Sequence, residues 1–150
     1  MNNDRIEKQI FLKAPRARVW SAIAESGQFG AWFGVKFDGD FKPGARMEGR
    51  MTIKNFEGRR MEIVIDRVEP QTLFSYRWHP YAIDEHMDYS KEPMTLVEFH
   101  LDERDGGTRL TVIESGFDSV PAARRAEALR MNTHGWAAQL QNIERHVAGS

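Results

Sequence analysis

Glu114 is the acid that the sequence sets on an apolar face. It follows Leu110 and Val112 at alternate positions of the strand-like run Thr108 to Ser115, so its side chain points the same way as theirs. A carboxylate turned into apolar surroundings needs a hydrogen-bond partner or a raised pKa. Arg125, Asn132 and Tyr76 are the residues that could supply that bond. Such a group could fix the polar end of a ligand, or work with a histidine as a general acid or base. At an exposed strand end it would do neither.

A second group of reactive side chains lies between His79 and Pro93. This stretch holds His79, Tyr81, Asp84, His86, Asp88 and Tyr89. The spacing of its histidines and aspartates matches no metal motif, so no metal ligand is assigned. The stretch is longer than most connections, which makes it either a lid over a cavity mouth or a structural loop. His100 and Glu98 share the outward side of a strand and are expected at the surface.

Other chemistry finds little support. The chain has no cysteine, which excludes disulfides, thiolate metal sites and a cysteine nucleophile. It has no Gly-x-Ser-x-Gly elbow, no phosphate-binding glycine loop and no His-Glu-x-x-His. No catalytic residue, cofactor or metal is therefore assigned. The net charge of −1 gives no bulk attraction to nucleic acid or to an anionic membrane. The pairs Arg59-Arg60 and Arg124-Arg125 are read as solvated faces. The N-terminus lacks the apolar run of a signal peptide, and no stretch approaches the ~20 apolar residues of a membrane span. The expected location is the cytoplasm. At 150 residues, 41% apolar and 29% charged, the chain suits one globular domain with a real core.

The elements that must position Glu114 follow from periodicity. Ile6 to Leu12 alternates as a first strand. Pro15 starts a helix carrying Val19, Trp20 and Ile23, which Gly27 ends, and Gln28 to Phe33 makes a short second helix. Strands follow at Phe37 to Phe41, Arg46 to Ile53, Met61 to Val68, Leu73 to Trp78, Thr95 to Leu101 and Thr108 to Ser115. Short turns, among them Pro43-Gly44 and Asp105-Gly106-Gly107, join most of them into an antiparallel meander. Ser119 to Val147 then reads as one long helix, with Ser119 as N-cap, Pro121 in the first turn and Gly149 at the stop. Leu129, Thr133, Trp136, Leu140, Ile143 and Val147 form its apolar stripe. Arg125, Asn132 and Gln139 lie close to that stripe in the first half. Either these polar residues sit at the edge of the stripe and reach water, or the first half of the helix covers a cavity, while Leu140, Ile143 and Val147 anchor it to the sheet. Gly135 would mark a close approach or a slight bend between the two parts.

The ordered set of short motifs resembles a known family. The matching stretches are Ala14-Pro15 with Val19-Trp20-Ser21-Ala22, Trp32-Phe33, Pro43-Gly44, Val68-Glu69-Pro70, Leu73-Phe74-Ser75-Tyr76-Arg77-Trp78, Gly107-Thr108-Arg109-Leu110-Thr111, Glu114-Ser115-Gly116-Phe117 and Gly135-Trp136. Together they resemble the family of the activator of the heat-shock-protein-90 ATPase, within the START-like, birch-pollen-allergen-like helix-grip superfamily. Ala45 departs from the family, which often has a second glycine after Gly44; the change concerns a turn. The resemblance implies an α+β helix-grip fold: a curved seven-stranded antiparallel sheet around the long C-terminal helix, with a cavity between them, across the whole chain as a single domain. It brings no shared catalytic motif. It does not carry chaperone activation with it, because the eukaryotic activators have an additional N-terminal domain.

Strand alternation proposes the lining of that cavity. Met47, Met51, Ile63, Phe74, Tyr76, Trp78, Val97, Phe99, Leu110, Val112 and Glu114 would face inward. Trp32 and Phe33 would close one side, and Arg125, Asn132 and Trp136 would face in from the helix. Aromatic and methionine surface suits a flat or flexible apolar ligand. The same residues could instead fill a dry core. Three functions follow: binding of a small apolar or aromatic molecule, an enzyme of cyclase or dehydratase type using the same cavity, or a chaperone-associated interaction module.

Overall fold

The computed structural model describes residues 5–82 and 86–148. Strand β1 (Arg5–Leu12) is followed by helices α1 (Arg16–Ala24) and α2 (Ser26–Phe33). Strands β2 (Val35–Phe37), β3 (Arg46–Met51), β4 (Arg60–Glu69), β5 (Leu73–Trp78), β6 (Thr95–Arg104) and β7 (Gly107–Ser115) come next. A single 3-10 turn, Phe117–Ser119, leads to α3 (Ala122–Ala148). The seven strands form one antiparallel sheet in the order β1-β7-β6-β5-β4-β3-β2. The meander runs from β2 to β7, and β1 closes it against β7. This is the α+β helix-grip architecture.

Several boundaries differ from the sequence reading, each for a local reason. The second strand is Val35–Phe37 and stops before Phe41, which leaves the sheet and turns inward against Phe29, Phe37 and Phe74. Gly27 lies inside α2 and does not end α1; Glu25 bonds the carbonyl of Ser21 and separates the helices. Ser119 belongs to the 3-10 turn, so the amides of Arg124 and Arg125 bond the carbonyl of Pro121 at the helix start. Gly149 and Asp84 lie outside the described residues.

Two glycines let α2 dock on the sheet. A Cβ on Gly30 would stand 2.1 Å from the carbonyl oxygen of Val35, closer than any side chain permits. Gly34 ends α2 at φ 96°, the left-handed cap that turns the chain into β2. Gly135 is different. It is exposed, and a Cβ there would meet nothing within 4 Å. The expected close approach is thus overturned: α3 runs as one helix through it. Gly135→Ala should then raise stability by about 1 kcal/mol, since alanine is the better helix former and nothing opposes its methyl. A thermal melt that falls on this substitution would contradict the open-space geometry.

The core is aromatic and continuous. Phe29, fully buried, has the rings of Trp32, Phe33, Phe37, Phe41, Phe74, Tyr76 and Phe99 within 6.4 Å. These edge-to-face and stacked contacts each add to simple area burial. The helix α3 closes over them with Ala128, Trp136, Leu140, Ile143 and Val147.

Candidate functional site

Glu114 is fully buried, and its partners are all neutral side chains. Trp78 Nε1 and Thr95 Oγ1 donate to Oε2 at 2.8 and 2.6 Å. Trp136 Nε1 donates to Oε1 at 2.8 Å, and Asn132 Nδ2 lies 3.0 and 3.2 Å from the two oxygens. The sheet register explains the set. Glu114 pairs with Val97 on β6, Val97 with Tyr76 on β5, and Thr95 with Trp78. Thr95 and Trp78 therefore sit two residues along their strands from the row of Glu114, on the same face. Asn132 and Trp136, four apart on α3, reach it from above.

This arrangement changes the expected role of Glu114. A carboxylate offers about four acceptor positions, and four side chains already occupy them. The oxygens are committed to the protein and do not reach out to a ligand. Of the three partners proposed from sequence, Asn132 bonds Glu114. Arg125 does not: its Nε donates to the carbonyl of Val120 at 3.0 Å. Tyr76 does not either; its hydroxyl is buried and has no hydrogen-bond partner among the described residues. Burial first, then the charge of Glu114, push that phenol well above its usual 10.0, so it stays a protonated donor.

An open space lies beside this network. An open cleft of about 580 Å³ is lined by Phe33, Met51, Ile53, Arg60, Met61, Glu62, Trp78, His79, Tyr81, Ala82, His86, Met87, Asp88, Tyr89, Ser90, Asn132 and Gln139. Its walls are the near ends of β3, β4 and β5, the chain after β5, and one side of α3. Trp78 and Asn132 form part of its surface, and both are held by Glu114. Gln139 is fixed by donating Nε2 to the carbonyl of Phe33 at 2.9 Å. Phe33 and Trp78 form the floor of the cleft and pack with Trp136 behind them, the three ring centroids 5.8 to 6.1 Å apart.

Of the lining proposed from sequence, Phe33, Met51, Trp78 and Asn132 border the cleft. Met47, Ile63, Phe74, Tyr76, Val97, Phe99, Leu110 and Val112 face inward as alternation requires, but they pack in the core and not along the cleft. The reason is α2, which drives Phe29 into the space that a sheet-and-helix cavity would occupy. Trp32 is also core, its Nε1 bonded to the carbonyl of Ala22 at 2.8 Å. Trp136 is buried behind the floor, and Arg125 stands away at the start of α3.

Arg124, expected on a solvated face, is mostly buried. Its side chain is 15% exposed and pairs with Glu92, 12% exposed, at 2.8 Å. Nε donates to Glu92 Oε1 at 2.9 Å, and Nη1 donates to the carbonyl of Pro80 at 2.8 Å. The guanidinium also lies 4.8 Å over the ring of Tyr89. One arginine thus ties both ends of the chain after β5 to α3. His79 adds a ring-nitrogen bond to the carbonyl of Glu92 at 3.0 Å. Among the described residues, no three histidines and acids converge as a metal site would require.

The fold and this cleft define a helix-grip domain with an open side pocket. The sequence matches the family described as Activator of Hsp90 ATPase homolog 1-like protein over residues 13–148, and the chain belongs to that family. Solved structures agree on the fold. Protein MLL2253 from Mesorhizobium loti is 20% identical, with a TM-score of 0.77 over 97% of this chain and 98% of that one. DynU16, from the dynemicin biosynthetic locus, is 22% identical, with a TM-score of 0.72 over 97% of this chain and 47% of the other. The Aha1 dimer from Colwellia psychrerythraea is 15% identical, with a TM-score of 0.71 over 95% of both chains. A comparison with curated proteins finds no match. No helix among the described residues is long and apolar enough to cross a membrane.

Proposed function

We propose that the protein binds a small apolar, aromatic molecule in the open cleft beside α3. The observation that carries this is the cleft itself: about 580 Å³, with Phe33 and Trp78 as rings and Met51 and Met61 as adaptable side chains. That volume suits a ligand of two or three fused rings, and mixed aromatic and thioether walls suit flat molecules. A binding role is favoured over acid–base chemistry because Glu114 is saturated by protein donors and His79 is engaged with Glu92. It is favoured over a protein-docking role because the large exposed hydrophobics among the described residues, Phe11 and Met87, do not form one patch: Phe11 is on β1, whereas Met87 borders the cleft.

The test is equilibrium dialysis with 2-acetylnaphthalene. One molecule is expected to bind per chain. Ala82→Trp, which places an indole in the cleft, should weaken binding at least tenfold and leave the thermal midpoint within a few degrees. Binding that is unchanged by this substitution would place the ligand elsewhere. Native mass spectrometry of freshly purified protein should show a small-molecule adduct that organic extraction removes.

A further inference from the structure

The fully buried Tyr76 carries a hydroxyl with no partner among the described residues. Orphaned buried polar groups are rare in native proteins and call for a reason. Phenylalanine would fill the same place without the desolvation cost, and the surrounding rings of Phe29, Phe74 and Phe99 would accept it. The position of Tyr76 supplies a reason. It is one inward step along β5 from Trp78, which borders the cleft, and the two rings meet edge-on at 5.4 Å. On β4 the same step runs from Ile63, opposite Trp78, to Ile65, opposite Tyr76.

Resting on the cleft reading above, we propose that Tyr76 is the inner, specificity-determining end of the binding site. Its hydroxyl donates to a carbonyl-type acceptor on the ligand. The ligand class is thus a planar apolar molecule with a ketone-like oxygen at its leading end. Burial and the nearby Glu114 charge keep the phenol protonated, so it is a donor at any ordinary pH. Glu114 cannot compete for the acceptor, being itself an acceptor, and its own donors are already committed to it. Access one step beyond Trp78 requires the wall to shift. The movable part is the Trp78 indole: Met51 and Met61, unbranched and adaptable, border the cleft on the side of Trp78 away from Tyr76 and can give way to it.

The experiment compares naphthalene with 2-acetylnaphthalene, by equilibrium dialysis, on the native protein and on Tyr76→Phe. The native protein should prefer the ketone by about tenfold, one hydrogen bond made in a desolvated site. Tyr76→Phe should bind naphthalene as before and lose the preference, while its thermal midpoint stays the same or rises. That pairing of unchanged or greater stability with lost selectivity distinguishes a ligand-directed hydroxyl from one that serves the fold. Equal affinity of the native protein for both probes would overturn the proposal and leave the cleft reading intact. A lower midpoint with both probes weakened equally would also overturn it, assigning the hydroxyl to a structural water. If neither probe binds the native protein, the cleft reading fails first and this one with it.

Discussion

Glu114→Ala is expected to lower the unfolding free energy by about 3–5 kcal/mol. Four buried or half-buried donors converge on that carboxylate: two indoles, a threonine hydroxyl and an amide. Each donor left unpaired in the interior costs about 1–3 kcal/mol. Part of that sum is recovered because a buried charge is no longer desolvated. A loss of this size is a large share of the ~5–15 kcal/mol that holds a domain together. In urea the midpoint should fall by roughly 2 M, taking an m-value of about 2 kcal/mol/M. Glu114→Gln should cost less, about 2 kcal/mol, because one carbonyl remains, but its amide group must face a donor. Both variants should shift the tryptophan emission, since Trp78 and Trp136 lose a common acceptor. A glutamine variant as stable as the native protein would show that the second oxygen is dispensable.

The direction of Glu114 was legible in the sequence, and its surroundings were not. Alternation along Thr108 to Ser115 is a local property and put the acid on the inner face. Asn132 was legible too, because a wheel projection places it near the helix stripe. Trp78 and Thr95 were not found as partners, although both are inward residues. Their nearness to Glu114 depends on the register of β5, β6 and β7 together, and register is a non-local property. The seven strands and the long helix were recoverable for the same reason that the cavity was misplaced. Periodicity reports which way a side chain faces, not whether the space it faces is filled. Here Phe29 decides that, and a residue in a short helix gives no sign of its depth. Gly135 had a usable signal: as the neighbour of Trp136 it falls about 100° away from the stripe, toward solvent. Arg124 had none. Its partners Glu92 and Pro80 lie 32 and 44 positions away, and adjacent arginines suggested only a charged surface.

That arginine carries the second large effect. Arg124→Ala should cost about 2–4 kcal/mol, well above the usual yield of a surface ion pair. Both side chains of the pair are mostly buried, so the substitution strands the Glu92 carboxylate in a poorly solvated place. It also frees the carbonyl of Pro80 and uncovers the ring of Tyr89. Arg124→Lys should recover less than half of the loss. Lysine restores the charge, but a single ammonium cannot reach the carboxylate and the carbonyl in the fixed directions of a guanidinium. Since the pair is shielded from solvent, raising salt to about 1 M should change the native midpoint little, although it screens exposed pairs strongly. Amide exchange separates the local consequence from the global one. The amides of His79, Tyr81, Ala82 and 86–92 should lose protection by more than the global loss accounts for, because Arg124 ties both ends of that segment to α3. The segment contributes His79, Tyr81, Ala82 and the side chains from His86 to Ser90 to the cleft. The same substitution should therefore weaken 2-acetylnaphthalene binding about tenfold while the Glu114 network and its tryptophan emission stay as they are. Emission that moves with Arg124 would mean that the rim and the floor of the cleft are one cooperative unit, and the site could not be altered at one without disturbing the other.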